Sequence, residues 1–415
     1  MKVLFLAHRI PYPPNKGEKI RSYHILERLA QRHEVHLCCL VDDPADLEYV
    51  SHLRKLVPRV DYVRLHPRLR RVTSLPGMLG ARALSVSYFH SPRLQAAVDD
   101  ALHSGGIGGI FCSSSPTAEY LFRSRSAAAV RNAVRVMDLI DVDSAKWLEY
   151  AAHRPWWQSW IYRYEGRCLA DYEARILRTF DHILVVSEAE RNLLAGKLDG
   201  GRTAAMANGV DLRYFSPAHE GGFQAPEPLL VFTGVMDYWP NVDGVRWFVE
   251  RILPRVRAAV PAVRLFIVGS RPSAEVRRLA AVAGVTVTGF VEDVRDYLAA
   301  ASVCVVPLRI ARGIQNKVLE AMAMGKPVVS TLAAFEGLDA RAGKDLVVAA
   351  DERSFAEEVT ALLSDRGRAA EIGRNARACV ERGYSWAANL GLLDELLADR
   401  RTGASRAHAA GVIPP

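Results

Sequence analysis

A short stretch in the last third of the chain combines charged side chains with an otherwise apolar sequence. Residues 313–329 read GIQNKVLEAMAMGKPVV, and Lys317 and Glu320 interrupt the apolar run. A helix would place these two side chains on one face, near its first turn. Lysine binds diphosphate oxygens, and an ionised carboxylate accepts hydrogen bonds from a diol. The alternative is a surface salt bridge, although the neighbouring residues are too apolar for an exposed helix.

Further candidate binding residues surround the start of this helix. Arg309, Arg312 and Gly313 come directly before it, and they follow the apolar run VCVVPL. Gly234 has an equivalent place after the run LLVFT. Ligands of open α/β sheets bind beyond the carboxyl ends of the strands, and helix N-termini attract anions. The sequence therefore predicts an anion site at the ends of these strands, with the arginines supplying positive charge.

The elements that would position these residues alternate between apolar strands and amphipathic helices. The predicted strands are 3–7, 35–41, 107–112, 133–137, 182–186, 229–233, 263–268, 285–288, 303–306 and 327–330. The predicted helices of the second half are 244–260, 274–283, 294–301, 317–324 and 386–397. Continuously apolar strands separated by helices are typical of parallel sheets covered on both faces. We therefore expect an α/β protein with two doubly wound domains that face each other across a cleft.

The composition of residues 216–228 marks the boundary between the two domains. This segment reads SPAHEGGFQAPEP and holds three prolines and two glycines, which is typical of a linker. We therefore predict an amino-terminal domain over 1–215 and a carboxyl-terminal domain over 229–383. A terminal helix is expected within 384–400. Residues 401–415 have no apolar period and are expected to form a disordered tail.

Composition and charge restrict the location and the partners. The 415 residues carry a formal net charge of +8, and residues 54–82 are rich in Lys and Arg. Such a patch attracts nucleotides, nucleic acid or anionic lipid, or it only keeps the protein soluble. Since no nucleic-acid-binding motif is present, nucleic acid is not an expected partner. Neither a bilayer-spanning run nor a signal-peptide core is found, so a cytoplasmic protein is expected. The six cysteines lack CxxC spacing, which predicts neither a metal site nor disulfides.

Residues 146–177 are rich in aromatic and basic side chains. They include four tryptophans, among them Trp156, Trp157 and Trp160, and arginines from Arg154 onwards. This composition suits a membrane interface or a groove for a lipid acceptor. A helical pair that buries the tryptophans within its own domain is an equally good interpretation.

Several motifs resemble those of one enzyme family. The stretch GIQNKVLEAMAMGKPVVST resembles the signature of retaining nucleotide-sugar glycosyltransferases of family 4, which have the two-domain GT-B architecture. PYPPNKGEKIRSYHILERLAQRHEVHL, VVSEAERNLL, NGVDLRYFSP and VTGFVEDVRDYLAAASVCVVPL are similar to other parts of the family. DYWPNVDGVRWF further resembles a bacterial branch associated with exopolysaccharide and with the exosortase (PEP-CTERM) surface-protein system.

The resemblance implies roles for individual residues. Glu320 matches the family's glutamate that holds the donor ribose, and Lys317 then falls beside the diphosphate. Val291 and Asp293 match positions around the nucleobase, and Gly17 matches a loop glycine near the diphosphate. The helix within 384–400 matches a terminal helix that crosses back to the first domain.

The sequence departs from the family pattern at three places. Arg312 stands where relatives often carry a sugar-contacting Glu, so the identity of the sugar does not carry over. The Arg and Lys usual after the first strand of the second domain are absent, and we infer that Arg309, Arg312 and Lys317 replace them. Ser113–Ser115 occupy a region where the family often has a His. Ser114, Asp138 and Asp141 are therefore candidate acceptor contacts.

The resemblance implies transfer of a sugar from a UDP or GDP donor to a saccharide or lipid-linked acceptor, with retention of configuration and without a metal or other cofactor. Lys317, Glu320 and Arg309 are the candidate catalytic residues, acting on the departing diphosphate and the donor. No pair of carboxylates typical of a glycosidase is evident. A non-catalytic sugar-nucleotide-binding subunit and a nucleotide-sugar epimerase of the same architecture are the alternatives. Peripheral contact with an anionic membrane, at the inner face of the plasma membrane, is also expected.

Overall fold

The computed structural model describes residues 1–15, 17–67, 70, 73, 80, 82–152, 154–194, 202–221 and 228–398. The predicted tail at 401–415 and part of the predicted linker, residues 222–227, lie outside the described residues. The described chain forms two compact units. The first comprises Met1–Met206 together with the segment from Leu390 onwards, and the second comprises Ala207–Asn389.

The first unit contains a seven-stranded parallel sheet in the part of the chain that the structure describes, with the strand order β3-β2-β1-β4-β5-β6-β7. The strands are β1 (Lys2–Ala7), β2 (Glu34–Val41), β3 (Arg59–Arg64), β4 (Ile107–Ser113), β5 (Val134–Ile140), β6 (His182–Val185) and β7 (Thr203–Ala205). The α-helices are Gly17–Ala30, Val50–Leu56, Leu84–Phe89, Pro92–His103, Ala118–Phe122, Ala127–Asn132, Asp143–Ala152, Trp156–Thr179, Glu188–Leu194 and Gly391–Ala398. Short 3-10 turns occupy Pro44–Tyr49 and Ser115–Thr117.

The central strands of this sheet are buried on both faces. Val3, Leu4 and Phe5 of β1 are fully buried, and Phe5 stacks on Phe111 of β4 with ring centroids 5.0 Å apart. Their continuous apolar sequence is the reason, since helices cover both faces of a parallel sheet. The last helix, Gly391–Ala398, packs against this unit, where Arg28 donates to its Asp394 at 2.6 Å.

The second unit repeats the same plan with six parallel strands among its described residues, in the order β10-β9-β8-β11-β12-β13. The strands are β8 (Leu229–Thr233), β9 (Arg264–Val268), β10 (Val285–Gly289), β11 (Val303–Val306), β12 (Val328–Thr331) and β13 (Val347–Ala349). The α-helices are Trp239–Trp247, Leu253–Ala259, Ala274–Leu279, Val294–Ala300, Asn316–Ala323, Leu332–Phe335, Glu352–Ser364, Arg366–Gly383 and Trp386–Asn389. The predicted α/β class with two doubly wound parallel-sheet domains is confirmed.

Two predicted helices differ from those in the structure. The helix predicted over 244–260 begins earlier, at Trp239, and contains a π-turn over Phe248–Ile252. Pro254 lies two residues after this turn, and because proline has no N–H to donate, one hydrogen bond of the regular pattern is missing there. The helix predicted over 386–397 consists of two separate helices, Trp386–Asn389 and Gly391–Ala398.

Candidate functional site

The strand order of the second unit places a binding position at the carboxyl ends of β8 and β11. These strands are neighbours in the sheet, but the next strands along the chain lie on opposite sides of them. β9 lies beside β8 on one side, and β12 lies beside β11 on the other. Ligands of doubly wound sheets bind at such a reversal of strand order. Gly234 follows β8 directly, and the helix Asn316–Ala323, hereafter the lysine helix, follows β11. Lys317 lies in the first turn of this helix.

The Lys317 ammonium is held by two groups from the β8 region. Its Nζ donates to Asn241 Oδ1 at 2.6 Å and lies 4.5 Å from the centroid of the Phe232 ring. Asn241 is itself buried, and its Nδ2 donates to the Val235 carbonyl at 2.9 Å. Since both ends of the amide are engaged, Asn241 fixes the position of the lysine.

Glu320 shares the face of the lysine helix with Lys317, as the spacing predicts. Burial raises the pKa of the Glu320 carboxyl to about 7, although the charge of Lys317 acts in the opposite direction. Among the described residues, none donates a hydrogen bond to this carboxylate, and no ion pair closes on it. The carboxylate is therefore available to accept hydrogen bonds from a ligand.

The environment of Lys317 opposes its positive charge. Burial lowers the pKa of the Lys317 ammonium to about 7, and the nearby Glu320 only partly compensates. The neighbouring groups are a neutral amide and an aromatic ring, neither of which carries a full negative charge. An anion placed here would restore the favoured charged state of the lysine. A perturbed lysine beside a perturbed carboxylate, at the end of the strands, is typical of a functional site.

Glycines at the strand ends allow the loops to pack closely around the ammonium. A methyl group on Gly234 would lie 3.1 Å from Lys317 Nζ and 2.7 Å from Asn241 Nδ2. At Gly269, after β9, a methyl group would lie only 1.7 Å from the Gly234 carbonyl oxygen. The backbone of the site therefore requires glycine at both positions.

The two predicted arginines have different surroundings. Arg309 Nε donates to Asp243 Oδ2 at 2.9 Å, and its guanidinium lies 5.7 Å from the Trp247 ring centroid. Its charge is therefore already paired with a carboxylate. Arg312 is half-buried, and its carbonyl accepts from Gln315 Nε2 at 2.9 Å, which fixes the loop at Gly313.

The predicted nucleobase residues lie between β10 and the helix Val294–Ala300. Asp293 is the N-cap of that helix and accepts from the Arg295 backbone N–H at 2.9 Å. The Arg295 guanidinium also binds the carboxylate, which makes Asp293 a structural residue of this loop. Val291 is half-buried, and the adjacent Phe290 is 77% exposed. An exposed phenyl ring of this kind offers an apolar surface beside Val291.

The predicted residues of the first unit lie at the start of its first helix and after β4 and within or after β5. Gly17 begins the helix Gly17–Ala30 and is exposed. Ser114 follows β4 with a positive φ of 74°, and its N–H donates to the Asp138 carbonyl at 2.8 Å. His8 directly follows β1, the neighbour of β4. Burial and the adjacent Arg9 lower the pKa of His8 to about 4, so its imidazole is neutral at physiological pH.

Asp138 and Asp141 have unlike environments. Asp138 is fully buried and accepts from Arg21 Nε at 2.8 Å and Arg21 Nη2 at 2.9 Å. The Arg21 Nη1 also donates to the Met206 carbonyl at 2.7 Å. The Asp138 carboxylate therefore fixes the buried Arg21, which links β5 to the residue that follows β7. Asp141 is half-buried and forms an ion pair with Lys146 at 3.2 Å. Of the two, Asp141 is nearer to solvent.

The sequence interpretation missed several of these residues. Asn241 lies in the segment MDYWPNVDG, where the family's usual Arg and Lys are absent. That absence was the one sequence signal that another residue of this segment contacts the site. His8 and Arg21 carried no spacing signal, because their partners are far away in the sequence. In the second unit, the structure brings Lys317, Glu320 and Gly234 together at one strand end, whereas it pairs Arg309 and Asp293 with charged partners of their own.

Comparison with solved structures identifies proteins of similar fold. The two parallel-sheet α/β domains have structural neighbours among glycosyltransferases of the GT-B fold. Sucrose-phosphate synthase from Thermosynechococcus elongatus has a TM-score of 0.72 at 18% identity, covering 99% of this chain and 100% of that one. HepE from Anabaena, solved with UDP-glucose, has a TM-score of 0.64 at 17% identity, covering 96% and 99%. At these identities the likeness establishes the fold.

Sequence comparison finds that part of the chain is similar to a glycosyltransferase family. Residues 227–365 match the family described as glycosyl transferases group 1. A Corynebacterium glutamicum protein, GDP-mannose-dependent monoacylated alpha-(1-6)-phosphatidylinositol monomannoside mannosyltransferase, is 32% identical over 201 residues. The alignment covers 44% of this chain and about half, 52%, of that relative. Part of the second unit is thus similar to glycosyltransferase group 1 proteins, which supports a transferase enzyme, as the sequence predicts.

Proposed function

We propose that this protein transfers a sugar from a nucleoside-diphosphate sugar to a saccharide or lipid-linked acceptor, with retention of configuration. The observation that carries the proposal is the desolvated Lys317, held by Asn241 at 2.6 Å in the first turn of the lysine helix. Such a lysine lacks a full counter-charge until an anion arrives, and the helix N-terminus adds positive potential at the same place. A diphosphate supplies the missing negative charge.

In the proposed reaction the protein mainly stabilises the departing diphosphate. The bond between the anomeric carbon and the diphosphate oxygen breaks, and negative charge grows on that oxygen. Lys317 donates to the diphosphate, and Arg312 adds charge from the preceding loop. Arg309 contributes if it is released from Asp243. Glu320 accepts hydrogen bonds from the ribose hydroxyls and so positions the donor. The loop of Gly234 allows the diphosphate to approach the backbone closely.

The donor base and the acceptor are proposed from the relatives. HepE was solved in complex with UDP-glucose, and the corynebacterial relative is a GDP-mannose-dependent mannosyltransferase of a phosphatidylinositol mannoside. We propose UDP or GDP as the donor nucleotide, with the base beside Val291. Ser114 and Asp141 are proposed acceptor contacts at the strand ends of the first unit, with Gly17 near the diphosphate and Asp138 as a positioning residue.

We further propose a role in exopolysaccharide synthesis or in the exosortase-type surface-protein system, since the sequence motifs resemble that branch. A lipid-linked acceptor would bring the protein to the inner face of the plasma membrane. None of the helices in the described part of the chain is long and apolar enough to cross a bilayer.

The proposed transfer requires no metal, because Lys317 and the helix N-terminus supply the positive charge. In the described residues, His219, Asp293 and Asp296 come close enough to bind an ion, but Arg295 already neutralises Asp293. We therefore expect the same transfer rate with and without EDTA. A loss of activity that Mg²⁺ or Mn²⁺ restores would contradict this part of the proposal.

The proposal is tested by sugar transfer with radiolabelled UDP- and GDP-sugars and a bacterial lipid and polysaccharide extract. The expected result is label in a glycolipid or glycan fraction, with the donor's anomeric configuration in the product. Tight donor binding without transfer or hydrolysis would instead favour a binding subunit. Formation of an epimeric sugar nucleotide would favour the epimerase. Glu320→Gln keeps the side-chain shape and removes the charge, so it should lower transfer by weakening the hold on the donor ribose.

A further inference from the structure

The long helix Trp156–Thr179 of the first unit, hereafter the tryptophan helix, exposes large aromatic side chains in its first two turns. Trp156 is 86% exposed, Trp157 56% and Trp160 54%. Exposed tryptophans are rare in water-soluble surfaces because each one leaves a large apolar area in water. These three residues, hereafter the tryptophan ridge, are therefore an unpartnered apolar surface.

The tryptophan ridge is not a misplaced core face, because the opposite face of the helix is already buried. Ser159, Gly166 and Leu169 lie on that side, and Ser159 Oγ donates to the Ala151 carbonyl at 2.9 Å. A methyl group on Gly166 would lie 2.8 Å from Leu148 Cγ, so the neighbouring helix Asp143–Ala152 packs tightly there. The ridge thus points away from the packed side.

Apolar and basic residues continue the surface around the ridge. Ile161, the residue after Trp160, is 36% exposed. Arg163 and Arg167 are exposed one and two turns further along the tryptophan helix. The acidic residue between them, Glu165, is buried, and its carboxylate caps the helix Leu84–Phe89 through the Leu84 N–H at 2.6 Å. The exposed charge next to the ridge is therefore positive.

We propose that the tryptophan ridge and its flanking arginines dock the protein onto a bilayer with anionic headgroups. Tryptophan prefers the boundary between headgroups and acyl chains, and arginine adds attraction to anionic lipid. The N-terminus of the helix, where the ridge lies, also favours negative charge. This inference rests on the proposed function, because it gives the protein a place to meet a lipid-linked acceptor.

Charge favours a lipid surface over a second copy of the chain. In a two-fold symmetric dimer through the ridge, Arg163 and Arg167 of both copies would border one interface. Like charges at such an interface oppose association. An anionic bilayer pairs with the arginines and accepts the indole rings together, so it satisfies both features of the surface.

The test is co-flotation of the full-length protein with vesicles of phosphatidylglycerol and phosphatidylcholine, compared with phosphatidylcholine alone. We expect binding to the anionic vesicles that weakens with salt. The variant Trp156→Ala/Trp157→Ala/Trp160→Ala should lose at least about 100-fold in vesicle affinity, because three large apolar groups are removed. Arg163→Gln/Arg167→Gln should lose about fivefold for each arginine on anionic vesicles only.

The matched control is Tyr62→Ala, which removes a 39% exposed aromatic side chain from β3 of the same unit. It should bind vesicles like the wild type. Each protein is also titrated with the donor nucleotide-sugars, and donor affinity should be equal in all of them, because the lysine helix is unchanged. This separates failure of the docking surface from failure of the proposed function.

Three outcomes would overturn the inference. The first is that the wild-type protein fails to bind anionic vesicles. The second is that the triple variant binds them as well as the wild type does. The third is that the wild type forms a dimer in solution that the triple variant does not form. Quenching by brominated lipid gives an independent readout. Fluorescence of the wild type should be quenched on anionic vesicles, and that quenching should disappear in the triple variant.

Discussion

Donor binding should be coupled to the uptake of a proton by Lys317. Burial lowers the pKa of this ammonium to about 7 in the free protein, so about nine tenths of the molecules carry a neutral lysine at pH 8. A bound diphosphate about 4 Å away would favour the charged form by about 4 kcal/mol at an effective dielectric constant of about 20. That energy corresponds to about three pKa units, so the lysine in the complex is charged at pH 8.

The sign of the pH dependence follows from this shift. Because donor binding raises the pKa of Lys317, the complex holds one more proton than the free protein above pH 7. Affinity should therefore fall by up to about tenfold per pH unit above pH 7 and should change little from this source below pH 6. A nucleotide-sugar is the right probe, since its diphosphate is a diester with no ionisation in this range.

The assay is titration calorimetry at pH 8 in two buffers of different ionisation enthalpy, which measures the protons taken up on binding. The expected uptake is about 0.9 proton for the wild type. Lys317→Met should bind at least about tenfold more weakly, because a charge-assisted hydrogen bond is lost, and should show much less uptake. Glu320→Gln should shift the onset of uptake to lower pH, because the Glu320 charge helps to keep Lys317 protonated.

Two results would refute this reasoning. One is a wild-type binding enthalpy that is the same in both buffers at pH 8. The other is unchanged proton uptake in Lys317→Met, which would place the titrating group elsewhere in the protein.

The remaining predictions concern close packing and buried charge. Gly234→Ala should weaken donor binding about tenfold, because the new methyl group would lie 3.1 Å from Lys317 Nζ. Calorimetry would measure the donor affinity, and an unchanged affinity would contradict the packing argument. Asp138→Ala should destabilise the first unit by about 3–5 kcal/mol, since Arg21 would be left buried without its carboxylate; urea unfolding would show whether the midpoint falls. Glu165→Gln should cost about 1–2 kcal/mol through loss of a charged helix cap, read as a lower thermal midpoint, and an unchanged midpoint would count against that role.

The main features of both sheets could be predicted from sequence because their strands are continuously apolar. The strand Leu229–Thr233 coincides with its prediction, and Lys2–Ala7 differs by one residue. Three strands were not predicted: Arg59–Arg64, Thr203–Ala205 and Val347–Ala349. The first lies at the sheet edge and alternates polar with buried residues, and the other two are only three residues long. Short or half-exposed strands carry too little apolar signal.

Within the candidate site, local geometry was predictable and long-range pairing was not. The spacing of Lys317 and Glu320 places them on one helix face, because helical periodicity alone decides it. The hydrogen bond between Lys317 and Asn241 joins residues 76 positions apart, and it depends on how two strands align in the sheet. The pairing of Arg21 with Asp138 spans 117 positions for the same reason. Such contacts follow from topology, which periodicity does not contain.

The exposure of the tryptophan ridge illustrates the same limit. Aromatic residues in a helical segment are compatible with a buried core or with a membrane interface, and composition does not distinguish the two. Trp147 is half-buried and packs on Tyr162 with ring centroids 5.1 Å apart, whereas Trp156 is almost fully exposed. The buried interpretation therefore holds for Trp147, whereas the membrane interface remains a proposal for the tryptophan ridge.

The central claim is that the lysine helix binds and activates a nucleotide-sugar. The most direct test is release of nucleoside diphosphate from a panel of UDP-, GDP- and ADP-sugars by the purified protein. We predict slow hydrolysis of at least one donor, with a rate at least about 100-fold lower in Lys317→Met. Hydrolysis of no donor, or hydrolysis at an equal rate in Lys317→Met, would contradict the claim.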